Sequence, residues 1–141
     1  DQKGAGASLQ FVLAPVVEFG VNGAIATQLL KGGFGQKTPE GSFKTISVGG
    51  FANFRLTDLM LLGLGINYTS QTDDYLAMNS TVNDFTYHVQ GFGALQYLLG
   101  GQLFIKGVVG YARAFFQPSD VSVTTWTNDM YSGRIQLMYL Y

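Results

Sequence analysis

His88 is the single histidine of the chain, and it lies four residues after Asp84. In an extended strand, side chains alternate between the two faces, so these two residues share one face. With a hydroxyl such as that of Ser132 they would supply the acid, base and nucleophile of an acyl transfer. No motif around them enforces such an arrangement. The expectation is a His88 hydrogen-bonded among other polar side chains, and no catalytic residue. Metal chemistry has little to draw on. There is no cysteine. Asp73-Asp74 and Asp129 fall in separate polar stretches, whereas a calcium site needs six or more oxygens. Gly32-Gly33-Phe34-Gly35 is not followed by Lys-Ser or Lys-Thr, so it is no phosphate loop. The eight Lys and Arg are scattered and the net charge is −1, which gives nucleic acid no electrostatic footprint. No metal and no cofactor is expected.

The elements that would hold such residues are strands. Of the 141 residues, 47% are hydrophobic and only 12% charged, with 19 Gly, 11 Phe and 8 Tyr. This excludes disorder, and the length fits one domain spanning 1–141. No run approaches the ~20 apolar residues of a helical membrane span. The chain opens Asp1-Gln2-Lys3, as expected of a chain whose signal peptide is already removed. Between Asn83 and Leu98, odd positions give an apolar face with Phe85, Tyr87 and Val89 at one end and Tyr97 at the other. Even positions give a mostly polar face with Asp84, His88 and Gln90. Leu59–Ser70 repeats the pattern, with Leu62, Leu64, Ile66 and Tyr68 against Gly63, Gly65 and Asn67. Met130–Tyr141 sets Tyr131, Ile135, Leu137, Tyr139 and Tyr141 on one face. Ala7–Val21 and Ser42–Leu56 read likewise, Gln102–Phe116 less cleanly, and Ala24–Lys31 is a strand of unassigned facing. Pro15 conflicts with a continuous strand and marks a bulge or turn.

Connections alternate in length. Asn22-Gly23, Thr57-Asp58 and Gly100-Gly101 read as tight turns. Gly32–Gly41, Gln71–Val82 and Gln117–Asp129 read as long polar loops. Short turns at one end and long loops at the other are the habit of outer-membrane barrels, whose strands need only about 9–11 residues. Seven segments are plain, yet such barrels carry an even number of strands. The expectation is an all-β, antiparallel up-and-down transmembrane barrel of eight strands. Its extra strand is a short one over residues 3–11 with a turn near Ala14-Pro15, or one lying outside this chain, or else one of the seven segments is misread. The polar face would turn inward, placing Glu18, Arg55, Asp84, His88, Lys106 and Arg134 in a filled interior where charges must pair. Glu18 with Arg55 is the pair expected. Phe85, Tyr87, Tyr97, Tyr68 and Tyr131 would form aromatic girdles. Trp126 and Tyr75 are the aromatics that loops would offer to a partner.

The final strand, Gly133-Arg134-Ile135-Gln136-Leu137-Met138-Tyr139-Leu140-Tyr141, resembles the C-terminal signal read by the bacterial barrel-assembly machinery, with Tyr141, Tyr139, Leu137 and Ile135 at alternate positions. That signal usually ends in Phe. The whole chain resembles the small outer-membrane β-barrel superfamily, like the transmembrane domain of OmpA and like OmpX. Leu13-Ala14-Pro15-Val16-Val17-Glu18-Phe19 and Gly49-Gly50-Phe51-Ala52-Asn53-Phe54-Arg55-Leu56-Thr57-Asp58 resemble strand–turn pieces of such proteins from the Bacteroidota. The resemblance implies a bacterial outer-membrane location. It implies membrane lipid and the assembly machinery as partners, with a larger outer-membrane complex as a further one. It fixes a fold and no activity. The reading is a non-enzymatic barrel with a structural, adhesive or complex-subunit role. Its rivals are a narrow channel kept open by Gly49, Gly63, Gly65 and Gly110, a soluble lipocalin-like binder, and a lipid-modifying enzyme.

Overall fold

The fold is known from a computed structural model that describes residues 2–30, 41–77, 80–119 and 123–139. It contains β1 (Gln2–Leu13), a 3-10 turn (Ala14–Val16), β2 (Val17–Leu30), β3 (Gly41–Thr57), β4 (Met60–Ala77), β5 (Ser80–Gly100), β6 (Leu103–Gln117) and β7 (Trp126–Tyr139). Each strand pairs antiparallel with the next, and all seven form one sheet in chain order. The protein is all-β and up-and-down. Among the described residues there are seven strands rather than eight, and the sheet does not close: β1 and β7 are open edges. No helix among the described residues is long and apolar enough to cross a membrane.

The first two strands divide at the turn that Pro15 was expected to mark, giving the early first strand, and not at Asn22-Gly23. The turn falls at Ala14-Pro15-Val16, and Asn22-Gly23 lies inside β2, paired on both sides with Ser8 and Ala7 of β1 and with Gly49 and Val48 of β3. Proline brings no N–H to a ladder but fits the first turn of a helix, and Pro15 occupies that place. A two-residue Asn-Gly hairpin needs positive φ, which among the described glycines only Gly100 and Gly101 adopt. The turns at Thr57-Asp58 and Gly100-Gly101 form as read. One expected loop, Gln71–Val82, is largely strand, and strand reaches into the ends of a second, Gln117–Asp129. β4 and β5 stay paired out to Ala77 and Ser80, so Asp73, Asp74 and Tyr75 belong to β4. β7 begins at Trp126, so this residue is also in a strand. Thr72, Tyr75 and Val82 in the first stretch and Trp126 and Thr127 in the second are good strand formers, and backbone pairing continues while each strand has a neighbour to bond to. Gly32–Gly41 lies outside the described residues except for Gly41, which pairs with Leu30. Leu140 and Tyr141 lie outside them too.

Register sorts every side chain onto one of two faces. One face carries Leu9, Phe11 and Leu13; Val17, Phe19, Val21 and Ile25; Ile46, Val48 and Phe54; Leu62, Leu64, Ile66 and Tyr68; Tyr87, Val89, Leu95 and Tyr97; Ile105, Val109 and Tyr111; and Tyr131, Ile135, Leu137 and Tyr139. The apolar stripe is unbroken from edge to edge. Ala24–Lys31 now has a facing, with Ile25 on this side and Ala24, Ala26 and Gln28 on the other. No hydrophobic side chain among the described residues is buried. Ile66 is 61% and Ile135 79% exposed. Tight Phe11–Phe19, Tyr87–Phe115 and Tyr111–Tyr131 ring pairs, 4.9–5.1 Å between centroids, hold neighbouring strands on this face.

Candidate functional site

The other face gathers the polar groups. Hollows of about 420 and 490 Å³ lie against it, which makes it the concave side of the sheet. Aromatics share it, and two of them lie over glycines. The Phe51 ring lies over Gly20 of β2, where an added Cβ would come within 2.5 Å of Phe51 Cε1. Phe92 of β5 lies over Gly65 of β4 in the same way. The glycines are notches that let large rings lie flat on a concave surface already crowded by curvature.

All six expected interior residues, Glu18, Arg55, Asp84, His88, Lys106 and Arg134, sit on this face by register. They do not form one network. Glu18 accepts hydrogen bonds from Gln10 Nε2 and from Asn53 Nδ2, the latter at 2.9 Å. It thereby ties β1, β2 and β3 beside the 3-10 turn. The expected ion pair with Arg55 does not form. The two amides lie in the rows next to the carboxylate and satisfy it, while Arg55 lines the same hollow without reaching it. Lys106 is flanked by Gln96 and Gln136, and Arg134 by Val108.

Asp84 takes the backbone N–H of Ser119 at 2.9 Å and its hydroxyl at 3.3 Å. The opposite residue on β4 is Asp73, itself bonded by Gln71 Nε2 at 2.7 Å. His88 was expected to be hydrogen-bonded, but its Nε2 is buried with no partner among the described residues. Its neighbours across the sheet are Thr69 and Ala114. Thr69 is already engaged, closing a small uncharged ring with Ser47 and Asn67 through contacts of 3.3–3.5 Å.

Asp84, His88 and Ser132 are not brought together. Asp84 and His88 share a face but stand about 14 Å apart along β5, at about 3.4 Å per residue. Ser132 faces Gly110, two strands from β5 and level with Phe92. Among the described residues no group of three or more His, Asp or Glu could hold a metal.

The expected girdle residues Phe85, Tyr87, Tyr97, Tyr68 and Tyr131 all lie on the apolar face. Tyr87 contacts Tyr68, Phe85 and Phe115 at ring-centroid distances of 4.9–6.1 Å. Trp126 stacks on Phe116 at 5.9 Å on the polar face. Ile135, Leu137 and Tyr139 line the apolar side of edge strand β7. The sequence reading missed Arg113, whose Nε and Nη2 donate to Asp129 at 2.7 and 3.0 Å while Tyr111 Oη donates to the same carboxylate at 2.8 Å. This is the ion pair among the described residues. Arg113 shares the odd phase of Tyr111 and Val109, and that signal was available. Asp129 was hidden by placing the start of β7 at Met130.

No family model matches the chain, and no curated protein matches it.

Proposed function

We propose that the chain is an integral outer-membrane β-barrel protein with a structural, adhesive or complex-subunit role and no catalysis. The observation that carries this reading is the unbroken apolar stripe opposite a polar concave face on all seven strands. A water-soluble barrel folds the other way, with apolar residues inward and polar residues outward. Here the concave side holds Glu18, Arg55, Asp84, His88, Lys106 and Arg134 with their amides, while the convex side holds a continuous stripe of Val, Ile, Leu and rings, as a lipid-facing surface requires, and its own charges, Lys3, Lys44, Asp74, Arg113 and Asp129, lie toward the long-connection end. Curling the sheet into a barrel gives an interior just wide enough for its side chains to fill. Phe51, Phe92, Trp126 and the Glu18 cluster occupy that space, which favours a plugged interior over an open channel. The segments joining the strands at the long-connection end carry contacts to a partner or complex, and the β7 stripe is the feature read by the assembly machinery. Reconstitution tests both parts. The protein partitions into lipid and needs detergent for extraction, and in planar bilayers it gives no reproducible conductance steps. Solubility without detergent would sink the membrane reading, and steady unitary steps would establish a channel instead.

A further inference from the structure

The convex face carries charges at a common level. Lys3 stands ten residues from Leu13, Lys44 ten from Phe54, Arg113 ten from Leu103 and Asp129 ten from Tyr139, each counted toward the short-turn end of its strand. Between the members of each pair, this face holds no charge. Ten residues at about 3.4 Å each, in strands tilted by about 35–45°, rise about 24–28 Å, and the apolar band of a membrane barrel is about 25 Å tall. The charges begin where such a band ends.

At that level they are of two kinds. Arg113 is spent on Asp129. Lys3 and Lys44 are exposed, and among the described residues neither has an ion pair. The acid of this face nearest to them in register, Asp74, stands opposite Ser42 and so lies diagonal to Lys44. Thr27 pairs with Lys3 on one side and with Lys44 on the other, so the three residues make one row across β1, β2 and β3. Two strand spacings of about 4.8 Å separate the lysines, and their long stems can lean together over the Thr27 hydroxyl. A phosphate has oxygens enough for both ammonium groups and the hydroxyl at once.

We infer that Lys3, Thr27 and Lys44 form a binding site for the headgroup phosphate of an anionic lipid, at the membrane boundary on the long-connection side. The inference rests on the membrane reading proposed above and gives that reading a lipid class and a place. A lipid is favoured over a soluble phosphate because the row opens onto the apolar stripe. Ile25 and Ile46, opposite each other and 45% and 38% exposed, come next after Thr27 and Lys44 on the same face, where acyl chains would lie beneath the headgroup.

Fluorescence quenching in vesicles tests this on the full chain. Trp126→Phe removes the single native tryptophan, and Ile46→Trp places a reporter beside the row. Val109→Trp, 67% exposed on the same face of β6, reports lipid away from it. Vesicles of phosphatidylcholine contain a minor share of phosphatidic acid with brominated acyl chains, and the same bromines on phosphatidylcholine give the reference. Phosphatidic acid should be enriched at Ile46→Trp by about five-fold or more, and not at Val109→Trp. Lys3→Gln with Lys44→Gln should bring the ratio to one, Lys3→Arg with Lys44→Arg should keep it raised, and Lys106→Gln with Arg134→Gln, an equal loss of charge on the concave face, should leave it raised. A ratio of one in the parent, enrichment that outlasts the loss of both lysines, or equal enrichment at both reporters would overturn the inference. Loss of enrichment in millimolar inorganic phosphate, but not in chloride of equal ionic strength, would overturn the lipid assignment in favour of a soluble phosphate. Insertion into pure phosphatidylcholine reads the membrane proposal by itself: a chain that inserts without lipid preference overturns only the present inference, and one that does not insert overturns both.

Discussion

Gly20 and Phe51 show how much depends on one missing Cβ. The Phe51 ring occupies the space a side chain at position 20 would need. Gly20→Val forces the ring off its rotamer and should destabilise the protein by about 1–3 kcal/mol, read from denaturant midpoints. Gly107→Ala, with nothing within 4 Å of the added methyl, should stay within about 0.5 kcal/mol of the parent. Arg113 and Asp129 make a different kind of residue-scale prediction. Arg113→Ala and Asp129→Ala should each lower the unfolding midpoint. The double variant should lose less than the sum, because each single change already breaks the same contact. A fully additive double would show that the pair contributes nothing.

At the scale of elements, Glu18 fastens the first hairpin to β3 through Gln10 and Asn53. Glu18→Leu removes the acceptor and leaves two amides unpaired, so the expected loss is about 1–3 kcal/mol, measured by equilibrium unfolding. Hydrogen exchange should rise in β1 and β2 more than in β5. The strands also explain which parts of the sequence were legible. Alternation fixed the facing of Leu9, Leu64, Val89 and Ile135 correctly, because a period of two needs no partner to be read. It even survived the misplaced turn, since Leu13 and Val17 pair across Ala14-Pro15-Val16 and keep the same phase. Asn22-Gly23 misled because a turn-forming dipeptide is equally at home in a strand whose two neighbours satisfy its backbone. Trp126 and Tyr75 were read as loop residues because polar neighbours surround them, yet pairing across a hairpin extends strands through polar sequence.

For the whole molecule, the decisive question is what the apolar face meets. Ile66 is 61% exposed in the middle of that face. In lipid, Ile66→Arg should cost about 2–4 kcal/mol, measured by folding into vesicles. In water an exposed substitution would stay within about 0.5 kcal/mol, so the magnitude separates the two solvents. Among the described residues β1 and β7 are the open edges of the sheet and run in the same direction, and a closed molecule needs both satisfied. Their common direction makes closure a question of strand number rather than of side-chain detail.

The sequence by itself determined the all-β class, the segregation of apolar and polar residues, and the face on which nearly every side chain lies. These follow from alternation, which is local. The tertiary structure decided where β1 turns into β2, which amides satisfy Glu18, that His88 Nε2 is left without a partner, and that Arg113 meets Asp129. It also decided that Asp84, His88 and Ser132 stand apart. Each of these depends on register between strands distant in sequence, and a shared face brings residues together only when they also share a row.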